Sequence, residues 1–135
     1  MKQTTQYASY MKADLRPSAK EPLDLSPLVG EWVNTKPDSS YLVRVVLTSR
    51  DGRLVFRGYG ANEPDPIDWG EVEAMPYVAG TSQMAGGFQA TYNLDGIETQ
   101  VMANQKLGVL VLNLYTRYLD GSDRTSHFTR EFYHR

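Results

Sequence analysis

Two dipeptides, Asp51-Gly52 and Asp95-Gly96, do most to limit what this chain can fold into. Each separates runs rich in β-branched and aromatic residues, and Asp-Gly supplies the positive φ angles that a tight hairpin needs. Lys106-Leu107-Gly108 makes a third turn of the same kind. Between the turns apolar residues recur with period two, and residues 31–135 carry no convincing helical period. The pattern predicts strands over residues 31–35, 41–49, 53–59, 69–74, 88–94, 97–105, 109–119 and 124–134. Eight strands in sequence, most joined by short links, predict an all-β, antiparallel up-and-down barrel, because closure leaves no edge exposed. A two-sheet sandwich is the alternative with the same strand count.

The remaining segments set the boundaries. Lys36-Pro37-Asp38-Ser39-Ser40 and Asp120-Gly121-Ser122-Asp123 read as turns. Residues 60–68, with two prolines, read as a long loop, and residues 79–87 as a Gly-rich link. Residues 1–22 are polar, carry Pro17 and Pro22, and read as an N-terminal arm ahead of a barrel domain at 23–135. Tyr7, Tyr10, Met11 and Leu15 fall at roughly helical spacing, so the arm is either a short helix at about 5–14 or a loose tail. Residues 23–29 predict a single helical turn with Ser26 as cap and Pro27 in its first position.

Composition excludes several classes. Fourteen basic and sixteen acidic residues leave a net charge of −2, with no cluster of Lys or Arg, so nucleic acid is not an expected partner. The chain has no cysteine, which removes disulfides, thiolate metal sites and cysteine nucleophiles. No run approaches the ~20 apolar residues of a membrane span, and the N-terminus lacks a signal-peptide core. A cytoplasmic location is the expectation. No phosphate loop, dinucleotide fingerprint or calcium loop is present. The seven-residue spacing of His127 and His134 puts them on opposite strand faces, so neither a metal nor a cofactor is expected.

Alternation divides the strands into faces. Leu54 and Phe56 oppose Val55, Arg57 and Tyr59; Phe88, Ala90 and Tyr92 oppose Gln89 and Thr91. Leu110, Leu112 and Leu114 oppose Val111, Asn113, Tyr115 and Arg117, while Phe128 and Phe132 oppose His127, Thr129, Glu131 and Tyr133. Alternation leaves open which face points inward. If the mixed faces do, Arg44, Arg57 and Arg117 would line a cavity and favour an anionic ligand, with Glu98 or Glu131 as partners. Otherwise these arginines are solvent-facing. Asp68-Trp69-Gly70-Glu71 reads either as a pocket gate with a carboxylate or as a capped loop and bulge. The catalytic candidates are Arg57, Glu71, Arg117, His127 and Glu131. The ligand-contacting candidates are Tyr41, Tyr59, Trp69, Tyr92, Tyr115 and Tyr133, since each ring offers an apolar body and most offer a hydroxyl.

Gly30-Glu31-Trp32, after the turn at 23–29, resembles the opening signature of the calycin barrels: lipocalins, fatty-acid-binding proteins and avidins. The resemblance implies a calycin-like barrel whose floor is closed by Trp32, with a cation from the last strand stacked on it. Arg130 is the first candidate for that cation and Arg135 the second. A longer stretch is similar to a family of small uncharacterised bacterial and fungal proteins. It runs from the Gly-x-Trp start through Asp68-Trp69-Gly70 to Tyr115-Thr116-Arg117-Tyr118-Leu119-Asp120-Gly121-Ser122. Members often carry a cysteine pair where this chain has Asn62 and Ile67, and the match implies fold alone.

Three readings of function follow. The first is a binder of a small, largely apolar or amphipathic molecule, entering opposite Trp32 near the 60–68 and 79–87 segments. The second is a cofactor-free cyclase or isomerase of secondary metabolism using the same cavity. The third is a solid barrel with a structural or partner-binding role. The sequence leaves open whether catalysis occurs and whether the outer faces pair into a homodimer.

Overall fold

The structure is a computed structural model that describes residues 18–135. Residues 1–17, and with them the helix expected at 5–14, lie outside the described residues. Eight strands follow in order: β1 (Gly30–Asn34), β2 (Leu42–Arg50), β3 (Arg53–Gly60), β4 (Ile67–Val78), β5 (Ala85–Leu94), β6 (Ile97–Lys106), β7 (Val109–Tyr118) and β8 (His127–His134). Each pairs antiparallel with its neighbours, and β8 returns to β1, so the sheet is a closed up-and-down barrel rather than a sandwich. The closing seam is short. Val33 pairs with His134 and Asn34 with Tyr133, and the Thr35 N–H donates to the Phe132 carbonyl at 2.9 Å.

The three hairpins form where the turn residues demand them. Asp51, Asp95 and Leu107 all adopt positive φ, each followed by a glycine that does the same. This pair of left-handed residues matches the twist of the flanking strands. The lead-in turn is real but differently capped: the Leu25 carbonyl accepts the N–H groups of Leu28 and Val29, at 2.9 and 3.1 Å. Asp24 Oδ1, not Ser26, holds the turn's start by accepting the Ser26 N–H at 2.9 Å. A carboxylate reaches the N–H two residues on more readily than the shorter hydroxyl does.

Boundaries shift most in three places. β4 runs to Val78, through Pro76, and β5 begins at Ala85, so the link between them covers only residues 79–84. β8 begins at His127, and residues 124–126 belong to the preceding loop, where Arg124 folds back onto Asp120 and Tyr118. Pro76 is tolerated because the β3–β4 ladder ends at Ala74, which leaves Pro76 with a pairing strand on its β5 side alone.

Because successive connections alternate ends, residues 61–66 and residues 79–84 lie at opposite ends of the barrel. The expectation that both flank one entrance is corrected by this topology. The 79–84 link sits at the Trp32 end, where Asp24 bridges to Met84. The other end is ringed by residues 35–41, 61–66, 95–96 and 119–126, and is called the mouth below.

Candidate functional site

Burial settles which faces point inward. Trp32, Val45, Leu47, Leu54, Phe56, Phe88, Ala90, Tyr92, Val101, Leu110, Leu112, Leu114 and Tyr133 are all buried. In β3, β5 and β7 the apolar face is therefore the inner one. In β8 it is not: Thr129 and Glu131 share the inner face with buried Tyr133, while Phe128 and Phe132 are exposed outside.

The end of the barrel around Trp32 is packed with large apolar side chains. Trp32 is fully buried, with its indole N–H donating to the Leu28 carbonyl at 2.9 Å, and Leu25 and Leu28 pack into the same cluster. Arg135 places its guanidinium 4.5 Å from the Trp32 ring centroid and donates to the Val29 carbonyl at 2.8 Å. The cation expected over Trp32 is thus Arg135, not Arg130. Parity explains the choice. Arg135 shares the inner parity of Tyr133, whereas Arg130 points outward and donates to the Asn113 side chain at 3.2 Å.

The mouth half is chemically mixed. Its first wall is aromatic. Gly70 has a φ of 85° and forms a bulge against β3, so Trp69 and Gly70 together oppose Gly58. A bulge orphans backbone groups, and Tyr92 recovers two of them from the adjacent strand β5. Its hydroxyl accepts the Gly58 N–H at 3.0 Å and donates to the Gly70 carbonyl at 2.7 Å. The Trp69 ring meets Tyr92 edge-on at 5.3 Å and occupies the space a side chain at Gly60 would need, its Nε1 lying 2.6 Å from where a Cβ would stand. Burial pushes the Tyr92 phenol up to about 12, against the opposing pull of the Gly58 N–H.

The second wall is polar. Thr99 and Thr116 share a hydrogen bond at 3.1 Å between β6 and β7, in the same row as His127. Thr129 stands one row deeper, and its Oγ1 is buried without a hydrogen-bond partner among the described residues. Beyond it Glu131 Oε1 accepts from Asn34 Nδ2 at 2.9 Å and from Ser39 Oγ at 2.6 Å, which pins the 35–41 loop to β8. Tyr133 donates its hydroxyl to the Leu42 carbonyl at 2.6 Å, and burial together with the Glu131 charge raises its pKa. His127 is at the rim, tilted against Tyr118 with centroids 5.8 Å apart.

The other candidates from the sequence lie outside the barrel. Arg57 pairs with Asp68, Arg117 with Glu98, Arg44 with Glu31, and Glu71 with Arg50. Each is a cross-strand pair on the outer face, with at least one partner well exposed. Leu54 and Phe56 take the inner positions of β3 and so force Arg57 and Tyr59 outward. Arg44 stacks on Tyr59 at 4.0 Å, also outside. Tyr41 is exposed in the 35–41 connection, and Tyr115 is exposed on β7, stacked with Phe128 at 5.7 Å. Of the six ring candidates, Tyr92 and Tyr133 are inside and Trp69 lines the mouth. Asp68, held by Arg57 and the Gly70 N–H, is well below the ordinary carboxylate range at about 2; both it and Gly70 serve the bulge.

Thr99, Thr116 and Thr129 are not among the candidates that the sequence singles out. Their signal was present: three threonines sit on the parity of Val101, Leu112 and Tyr133, where apolar residues would continue the core. A wall of this composition can exchange hydrogen bonds with a neutral polar group. No strand arginine stands on this wall: among the described residues, every strand arginine points to the outer face.

Fold and site together define an eight-stranded antiparallel barrel with a sealed floor and a mixed hydroxyl–aromatic mouth. No family model, no curated protein and no solved structure matches the chain.

Proposed function

We propose that this protein binds a small, largely apolar, uncharged molecule in the mouth half of the barrel. The reading rests on one observation: Thr129 Oγ1 is buried without a partner among the described residues, beside a Thr99–Thr116 pair that has hydrogen-bonding capacity to spare. A buried hydroxyl left unpaired costs about 1–3 kcal/mol, which a ligand carbonyl or hydroxyl would recover. Tyr92, Trp69 and Leu42 supply the apolar side. The closed barrel and the Trp32–Arg135 floor are compatible with the calycin-like resemblance and agree with entry from the mouth alone.

Charge sets the ligand class. Glu131 is the one carboxylate on the inner face among the described residues, and no guanidinium faces it. The cyclase or isomerase reading draws on Arg57, Glu71, Arg117, His127 and Glu131 as polarising groups. Arg57, Glu71 and Arg117 are paired outside, Glu131 is engaged by Asn34 and Ser39, and His127 stands at the rim against Tyr118, so binding ranks above catalysis. A second reading, a solid barrel working through its outer surface, is favoured by the large side chains that fill the lower interior and by the exposed aromatic residues of β7 and β8.

Two fluorescent probes that differ by one sulfonate test the proposal: neutral N-phenyl-1-naphthylamine and anionic 8-anilinonaphthalene-1-sulfonate. The neutral probe is expected to bind with enhanced emission and to perturb the amide resonances of Thr99, Thr116 and Thr129. The anionic probe is expected to bind at least tenfold more weakly. Equal binding of both, or perturbation confined to the outer strands, contradicts the mouth site. Native mass spectrometry of freshly purified protein then looks for a co-purifying neutral mass.

A further inference from the structure

The outer face of β6, β7 and β8 carries more apolar surface than a solvated strand face calls for. Phe128 is 60% exposed, Tyr115 47%, Phe132 45% and Met102 37%. They are contiguous by register: Tyr115 pairs with Phe128, and Val111 with Phe132. Met102 pairs with Asn113, which pairs in turn with Arg130. Val33 extends the patch across the closing seam onto β1. Aromatic residues, methionine and arginine are the residue types enriched at the centre of protein interfaces.

We infer that this face is the interface of a homodimer, in which the patch covers its own copy. Two observations select a second copy. The first is size. From the row of Val109 and His134 to the row of Tyr115 and Phe128 the face is roughly 20 Å long, and the four strands β6, β7, β8 and β1 are roughly 20 Å wide. A corrugated surface of that plan supplies on the order of 800 Å² per partner, the amount a stable pair buries.

The second is charge. The strand arginines Arg44, Arg50, Arg53, Arg57 and Arg117 each pair with a carboxylate, whereas Arg130, in the middle of the patch, has only the neutral Asn113 side chain among the described residues. An acidic partner or a lipid surface would be met by several free cations. One guanidinium per copy amid aromatic rings suits a face that packs on itself, where the cation lies over a ring of the other copy. The interface lies on the barrel's side, so the mouth stays open and the inference is independent of the ligand.

Sedimentation velocity of the full chain between roughly 1 and 200 μM tests it, a range that covers the association of a stable pair of this interface class. A concentration-dependent dimer is expected. Phe128→Asp and Phe132→Asp are each expected to weaken it at least 100-fold with the strand circular dichroism unchanged. Met75→Asp, at an exposed position on β4, is expected to leave it intact. In the wild-type protein, amide exchange in β7 and β8 is expected to slow as concentration rises, a readout that needs no variant. A monomer throughout this range, a dimer indifferent to both phenylalanine changes, or a monomer that binds neutral lipid vesicles through Phe128 overturns the inference.

Discussion

Arg135 lies over the face of Trp32, with its guanidinium carbon 4.5 Å from the ring centroid, while its Nη1 donates to the Val29 carbonyl at 2.8 Å. One side chain therefore ties the end of β8 to the lead-in turn and to the indole that closes the floor. A cation–π contact of this kind contributes about 0.5–2 kcal/mol, and a charged hydrogen bond to a carbonyl adds a similar amount.

Removing that contact should be measurable. Arg135→Ala is expected to lower stability by about 1–3 kcal/mol in urea unfolding and to alter the emission of Trp32. Arg130→Ala, which removes an exposed contact to Asn113, is expected to cost under about 0.5 kcal/mol. Equal effects of the two changes would rule out the floor role of Arg135.

Tyr92 does for the β3–β4 bulge what ladder hydrogen bonds do elsewhere. Tyr92→Phe leaves the ring's packing on Trp69 and Phe56 but strands the Gly58 N–H and the Gly70 carbonyl. The expected loss is about 1–3 kcal/mol, with faster amide exchange at Gly58. A neutral result would mean that water replaces the hydroxyl without cost.

The same residue sets the alkaline limit. Burial raises Tyr92 to about 12 from an ordinary value of 10, and Tyr133 is raised in the same direction. Below pH 10 both states keep the proton and the stabilisation is whole. As pH rises from 10 through 12 the unfolded chain ionises first, so stability falls. Urea midpoints between pH 8 and pH 11.5 should decline above pH 10, and less steeply in Tyr92→Phe.

At the acid end the sign reverses. Asp68 is lowered to about 2 by the Arg57 guanidinium and the Gly70 N–H, and Asp120 to about 2 by the Ser122 hydroxyl and N–H, with Arg124 adding less. Their contributions are present above pH 4 and are lost as pH falls toward 2. Both groups are solvent-exposed, so the readout is site-specific: carboxyl carbon shifts should titrate near pH 2. Arg57→Gln should move the Asp68 midpoint upward and leave that of Asp120 in place.

Leu107 is the weak turn of the three. It holds a φ of 54°, where Asp51 and Asp95 stand in the other two hairpins, and it is 91% exposed. Leucine gains nothing there and pays the steric penalty of the left-handed region. Leu107→Asn is expected to stabilise the barrel by about 1 kcal/mol, seen as a rise in melting temperature of several degrees.

The amino-acid order determined the strands, their number and their up-and-down succession. Those features depend on neighbours in sequence: Asp-Gly turns that reverse the chain and an alternation that each strand carries within itself. It also marked Gly70, whose bulge follows from local backbone geometry, and Trp32, whose floor role was implied by a resemblance and not by local geometry. Only closure decided the rest. Alternation says that Phe128 and Thr129 lie on opposite faces, and nothing within β8 says which is inside. That choice comes from pairing β8 between β7 and β1, where Tyr133 must enter a barrel already occupied by Trp32, Phe56, Phe88 and Leu110. The interior of an eight-stranded barrel has a fixed cross-section, and rings already inside it exclude others. Phe128 and Phe132 were therefore left on the surface, and three threonines and a glutamate were left to face the mouth.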